Sequence, residues 1–158
     1  MANEPCLHIP YLYNYAGQPW KTQKWIRALL KDWFRNDLMG VPGDEDGGGM
    51  TSFVVFSYMG FYPVTPGMPV YNIGSPMFEK VRVHLGNGNI FELEARNASA
   101  ENKYVQSVTL NGVAWNKPWF EHKDLAKGGK LVLIMGPKAN RSWGSSVNDA
   151  PPSAEKMK

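Results

Sequence analysis

Val81-Arg82-Val83-His84-Leu85 alternates apolar and polar residues, Gly86-Asn87-Gly88-Asn89 interrupts it, and Ile90-Phe91-Glu92-Leu93-Glu94-Ala95 alternates again. A period of two on both sides of a Gly/Asn cluster is the pattern of a β-hairpin. Toward the C-terminus, Tyr104 to Leu110, ending at Asn111-Gly112, predicts a third strand, and Leu131-Val132-Leu133-Ile134-Met135 a fourth. In the other direction the period changes. Pro63, Pro66, Gly67 and Pro69 break the chain, and from His8 to about Val64 the spacing is helical. Gly17-Gln18 marks a turn, and a helix is predicted over Pro19–Arg35, with Pro in the first turn, where its missing N–H costs no bond. Trp25, Leu29, Leu30, Trp33 and Phe34 recur at helical spacing and are expected to face a core. Met50 to Met59 is apolar nearly all round, which predicts a second helix, buried on most sides and stopped at Tyr58 or Gly60. Val54-Val55 alone would suit a strand, but the length of the run and Gly60 favour the helix. The chain therefore reads as α+β, with helices before about residue 66, antiparallel strands after it, and no internal repeat.

A chain of 158 residues makes one ordinary domain or two small layers sharing a core. Its net charge of +3 comes without a dense basic stripe, which argues against a nucleic-acid partner. The single cysteine, Cys6, excludes an internal disulfide and a CxxC zinc site. No window approaches the roughly 18 apolar residues of a membrane span, and Met1-Ala2-Asn3-Glu4-Pro5 has no signal-peptide pattern. Gly144 to Lys158 is rich in Ser, Pro, Asn and Lys and is expected to be a disordered tail. Aromatic residues reach 13%. They serve either as core or as flat platforms for sugar rings, with Trp115, Trp119, Phe120 and Trp143 the candidates for a non-catalytic carbohydrate-binding surface.

Gly43-Asp44-Glu45-Asp46-Gly47-Gly48-Gly49 lies between the two predicted helices. Three successive carboxylates repel one another, and three glycines let the backbone approach a ligand or take positive φ. Acidic residues before a helix are also ordinary capping chemistry, favoured by the helix dipole. A calcium EF-hand loop fails, because its required Glu would fall at Val55. A phosphate loop fails, because Gly49 is followed by Met50-Thr51 and the acidic residues would repel phosphate. A general acid/base role remains, of the kind glycosidases assign to paired carboxylates. Nearer the N-terminus, Asn3, Glu4 and His8 mix amide, carboxylate and imidazole with Tyr11, Tyr13 and Tyr15, although a lone Glu near a terminus is ordinarily solvated surface.

Three blocks resemble glycoside hydrolase family 92. They are Asn3-Glu4-Pro5 with His8 to Gln23, Gly43 to Met50 with Val55 to Val64, and Tyr71-Asn72-Ile73-Gly74-Ser75-Pro76-Met77-Phe78. The resemblance runs in order from Asn3 to about Trp143. It implies a calcium-dependent, inverting exo-α-mannosidase acting on mannose-containing glycans of N-glycan or mannan type. It implies that residues 1–65 are the terminal helices of an α-hairpin toroid (an α/α barrel) and 66–143 an antiparallel β-sandwich-like segment, with 144–158 the tail. Asp44 and Asp46 match the catalytic base and its partner. Asp46 is favoured as the base that deprotonates water, though the two are exchangeable, and Glu45 receives no role. Glu4 matches a calcium position, and Asn3 and His8 are weaker substrate-pocket candidates. The family's general acid falls on an upstream segment absent from this sequence. The chain alone is therefore expected to be inactive and poorly stable, and to need the missing N-terminal part of the enzyme as partner. Full-length relatives are secreted, periplasmic or surface-bound. The alternatives are a non-catalytic carbohydrate-binding module and a structural remnant.

Overall fold

The computed structural model describes residues 3–153. Two 3-10 turns, Glu4–Cys6 and Ile9–Tyr11, lead into the short helix α1 (Leu12–Tyr15) and then α2 (Pro19–Trp33). A loop and a third 3-10 turn, Asp46–Gly48, precede α3 (Gly49–Met59). The strands follow: β1 (Phe61–Tyr62), β2 (Val70–Ile73), β3 (Lys80–His84), β4 (Ile90–Arg96), β5 (Tyr104–Leu110), β6 (Val113–Ala114) and β7 (Trp119–Glu121). Helix α4 (His122–Ala126) and β8 (Lys130–Gly136) come last, before a 3-10 turn at Val147–Asp149. The α+β class and the four long strands match the sequence reading, and the shorter β1, β2, β6 and β7 are additions to it.

α2 bears out Leu30 and Phe34 of the expected core face and corrects it at Trp25 and Trp33. Pro19, Thr22, Gln23, Ile26 and Leu30 are buried, as is Phe34 just beyond the helix. Trp25 and Trp33 are 43% and 51% exposed. Both stripes have helical spacing, so periodicity alone cannot choose between them. The neighbours choose: Ile26 and Leu30 join Leu7, Tyr11, Met50 and Phe53 in one cluster, whereas Trp25 and Leu29 line an open apolar groove with Cys6, Ile9, Pro10 and Tyr13. α3 is likewise less enclosed than its composition predicts. Met50, Phe53 and Ser57 are its buried residues, and Val55 is 56% exposed. It ends where expected, on Gly60 with φ 105°. A Cβ at that position would stand 2.9 Å from Pro76 Cβ, so both backbone and space require glycine.

Two sheets share the second core. β1-β2-β7 form a three-stranded antiparallel sheet, and the five-stranded sheet has the order β3-β4-β8-β5-β6. The β segment is not wholly antiparallel as expected, because β8 runs parallel to β4, with Leu93 opposite Leu131. β8 enters after the long excursion through β5, β6, β7 and α4, and a connection of that length permits a parallel neighbour. A bulge between Val105 and Ser107 on β5 changes its alternation. Val105, Val108 and Leu110 all become buried in consequence. Phe61 and Phe120 from the smaller sheet pack on Phe91 from the larger, with ring centroids 6.1 and 5.6 Å away.

Buried polar groups tie the helices to the sheets. Asn14 Nδ2 lies 3.2 Å from Asn72 Oδ1, 3.0 Å from Ile73 O and 3.1 Å from Pro118 O, donating to this trio. Gln23 Oε1 accepts the Val105 N–H, 3.1 Å, and Arg27 Nε donates to Ser75 Oγ, 2.9 Å. Such groups hold the helical segment in one position, because leaving them unpaired in a dry interior is costly. The expected tail is also corrected in part. Trp119 Nε1 donates to Asp149 O, 2.9 Å, and Pro151 is buried, so 144–153 packs on the body. Residues 154–158 of that expectation lie outside the described residues.

The outer face of the larger sheet is a ladder of charges. Lys80, Arg82 and Lys130 reach Glu92 at 3.1, 3.0 and 2.9 Å, and Arg96 and Lys130 both reach Glu94 at 2.8 Å. Hydrogen bonds from Lys130 and Arg82 bring the Glu92 carboxyl down to about 2, and those from Arg96 and Lys130 do the same for Glu94. The ordinary carboxyl value is 4.5, so the ladder stabilises the fold above that pH, and the contribution is lost as pH falls through about 2. Solvent screening keeps it small. The urea midpoint of Glu92→Gln is expected to lie below that of the wild type at pH 6 and to merge with it near pH 2. A gap that persists undiminished at pH 2 would contradict this reading.

Candidate functional site

The acidic loop is shaped by its own backbone. Gly43, Asp46, Gly47 and Gly48 have φ of 75°, 54°, 64° and 104°. Left-handed backbone is tolerated at glycine, and more readily at Asp than at most other residues. Asp46 opens the 3-10 turn that runs into α3, and Asp44 and Asp46 are both solvent-exposed. Carboxylates on the N-terminal side of a helix are favoured by its dipole.

Glu45 points elsewhere. Its Oε1 accepts the Thr51 N–H at 2.9 Å and the Thr51 hydroxyl at 2.5 Å. Its Oε2 accepts the Gly48 N–H in a short hydrogen bond, and its carbonyl accepts the Met50 N–H at 3.2 Å. The Thr51 hydroxyl, then the Thr51 N–H, hold its carboxyl below the usual carboxylate range. The sequence reading gave Glu45 no role. The signal was a hydrogen-bonding side chain at Thr51, in the first turn of α3, a looser version of the capping box.

Glu4 arrives at the same place from the other end of the segment. A Cβ built on Gly49 would lie 3.3 Å from Glu4 Cγ and 3.6 Å from Glu4 Oε1. A side chain at Gly49 would thus crowd Glu4 at the start of α3. Tyr62, half-buried on β1, is the other neighbour. Burial first, and the Glu4 charge second, push its hydroxyl pKa up. The Tyr62 ring stacks on Tyr11 at 5.3 Å, and Tyr11 OH meets Ser57 Oγ at 3.0 Å. Neither Tyr62 nor Tyr11 was singled out from sequence as a site residue. Asn3 and His8 are exposed on the same N-terminal turns, and neither makes a side-chain cap bond. The structure therefore brings Glu4 to Gly49, where the acidic loop enters α3, and leaves Asn3 and His8 on the adjoining surface.

Calcium takes about six to eight oxygen ligands. Among the described residues no group of three or more His, Cys, Asp or Glu is placed to hold a metal ion. Glu4 offers one carboxylate, so the described residues by themselves do not make a calcium site. The aromatic platform fares no better. Trp119, Phe120 and Trp143 are buried. The indole N–H groups of Trp115 and Trp143 donate to Trp119 O and Trp115 O at 2.7 and 3.0 Å. Lys117 Nζ lies over both Trp115 and Trp119, 5.5 and 4.9 Å from the ring centres. These tryptophans brace the fold rather than offering open faces to a sugar ring. Among the described residues, no helix is long and apolar enough to cross a membrane.

Residues 1–137 match the glycosyl hydrolase family 92 catalytic domain. An uncharacterized secreted glycosidase of Arthroderma benhamiae is 39% identical over 156 residues, which is 97% of this chain and 20% of the relative. A family 92 α-mannosidase of Bacteroides thetaiotaomicron, solved in complex with mannoimidazole, superposes with a TM-score of 0.93 at 40% identity, over 97% of this chain and 20% of that one. A family 92 inverting mannosidase from the same organism gives 0.91 at 42% identity, over 97% and 21%. The chain spans about a fifth of the length of these relatives. With the match extending over most of its length and the fold superposing closely, the chain belongs to glycosyl hydrolase family 92.

Proposed function

We propose that this chain is the water-activating part of an inverting α-mannosidase that releases mannose from α-mannosides of N-glycan or mannan type. The observation that carries the reading is the approach of Glu4 to Gly49, more than forty residues away in sequence, where the acidic loop enters α3. In an inverting hydrolysis one carboxylate removes a proton from water, and that water attacks the anomeric carbon from the face opposite the leaving oxygen. Asp46, presented by its left-handed backbone, is that base, and Asp44 supports it. A second carboxyl, about 6.5–9.5 Å from the base, must protonate the leaving oxygen, and it comes from the preceding part of the enzyme. Glu4 contributes one oxygen ligand if the whole enzyme holds calcium, with Asn3 and His8 at the edge of the sugar pocket. α1 to α3 are the end of a helical toroid, and the whole protein works outside the cytoplasm, in keeping with the name of its fungal relative.

The test is complementation. The chain is mixed with, or fused behind, the remainder of a family 92 enzyme in calcium buffer, and an α-mannoside is followed by proton NMR. Mannose is expected to appear first as the β-anomer. The α-anomer appearing first would overturn the inverting assignment, and no release from the joined protein would overturn the hydrolase reading.

The exposed groove between Trp25, Leu29 and Ile9 is where the remainder of the domain is expected to dock. Trp25→Glu should weaken co-purification with the remainder at least tenfold, on the order of the loss of one buried aromatic anchor, while leaving the circular dichroism of the isolated chain unchanged. Undiminished co-purification would place the contact elsewhere.

A further inference from the structure

The three carboxylates of the loop are chemically alike but are held differently. Asp44 and Asp46 are exposed. Glu45 accepts from Thr51 N–H at 2.9 Å, from Thr51 Oγ–H at 2.5 Å and from Gly48 N–H. These donors lie on both sides of the Gly48–Gly49 junction, so one side chain clamps the turn that contains Asp46 to the first turn of the eleven-residue helix α3. From these contacts we infer that Glu45 is a positioning residue for the hydrolytic reaction: it fixes the left-handed backbone of Asp46 and thereby the point at which the water-activating carboxylate is held. The inference rests on the proposed function for its catalytic consequence, but not for the clamp itself.

Three features make the clamp specific. A carboxylate is an acceptor with two oxygens, and here both are engaged, which leaves Glu45 unsuited to serve as the base. Gly47 and Gly48 are flexible and on their own would let Asp46 sample several orientations. Misplacing a reacting group by about 1 Å costs roughly 10²-fold in rate, so the restraint on these glycines matters more than its surface position implies. The charge also sits where the α3 dipole favours it.

Two measurements test this. In the 158-residue chain, amide hydrogen exchange at Gly48 and Thr51 is expected to be slow. Glu45→Ala should accelerate both at least tenfold while Phe56, farther along α3, is unchanged. Thr51→Val should leave Gly48 protected. Free exchange at Gly48 and Thr51 in the wild type, or no change in Glu45→Ala, would overturn the clamp. In the complemented enzyme, Glu45→Ala should lower kcat by about 10–100-fold with KM changed less than threefold, and Glu45→Gln, which keeps an acceptor oxygen, should recover part of the loss. The pH at which the rate falls on the acid side should not move, because the base itself is intact. An unchanged kcat with lost amide protection would overturn the positioning role and leave a purely structural cap. A shifted acid limb would overturn it in favour of Glu45 titrating in the reaction. Absence of mannose release from the wild-type complemented enzyme would overturn the hydrolase reading and its catalytic consequence, while the exchange result would still decide the clamp.

Discussion

Replacing Phe61 by alanine is expected to destabilise the chain by about 3–5 kcal/mol, the cost of a large cavity in a dry core. Phe61 is 1% exposed and stands where the two halves meet. It follows the Gly60 cap of α3, and Phe61 pairs with Ile73 across β1 and β2. Its ring packs edge-on against Phe56 of α3, Tyr71 of β2, Phe91 of β4 and Phe120 of β7, at 5.7, 5.3, 6.1 and 5.3 Å. One side chain thus touches α3 and both sheets. Neighbours drawn from separate elements cannot all collapse into the space, so the cavity term should be near the top of its range. Losing several kcal/mol matters for domains whose total stability is typically about 5–15 kcal/mol. Urea denaturation of the purified chain measures it, with Val55→Ala as the exposed control expected to stay within about 0.5 kcal/mol. A Phe61→Ala loss below about 1 kcal/mol would mean that the sheets and α3 do not share this core.

The second large effect is catalytic. In the complemented enzyme Asp46→Asn is expected to lower mannose release by about 10²–10⁴-fold, the usual contribution of a general base. The amide keeps the size of the carboxylate and removes its ability to take a proton from water. The loop should survive the change, because Asp46 is exposed and the Glu45 clamp is untouched, so the urea midpoint should stay near wild type. Asp44→Asn should reduce release less. If Asp44→Asn is the more damaging of the two, the roles are exchanged, and if neither matters the base lies outside this loop.

Periodicity read much of this fold correctly because burial imposes it. The hairpin at Val81–Ala95 alternates because one face of β3 and β4 is buried against the smaller sheet, where Phe91 meets Phe61 and Phe120, while Arg82, Glu92 and Glu94 form the charged outer face. Where periodicity failed, a non-local choice was involved. Trp25 and Trp33 share the helical spacing of Ile26 and Leu30, and only the neighbours decide which stripe is covered. The bulge after Val105 depends on cross-strand bonding to β8, and the parallel pairing of β8 with β4 on chain topology. At the candidate site the unusual composition of Gly43–Gly49 was visible at once. The division of labour within it was not, since Asp44, Glu45 and Asp46 differ in what they bond rather than in what they are. Glu4 read as solvated surface and is solvent-exposed, but its approach to Gly49, more than forty residues away, is a non-local contact that no spacing could show.

The most direct test of the central claim, that these residues supply the water-activating side of an α-mannosidase, is an omission experiment. Mannose release from an α-mannoside is measured in calcium buffer for the remainder of a family 92 enzyme alone, for this chain alone, and for the two together. The account predicts release only when both are present, and none when the added chain carries Asp46→Asn together with Asp44→Asn. Release by the remainder alone at the level of the pair, or by the pair with the doubly substituted chain, would contradict it.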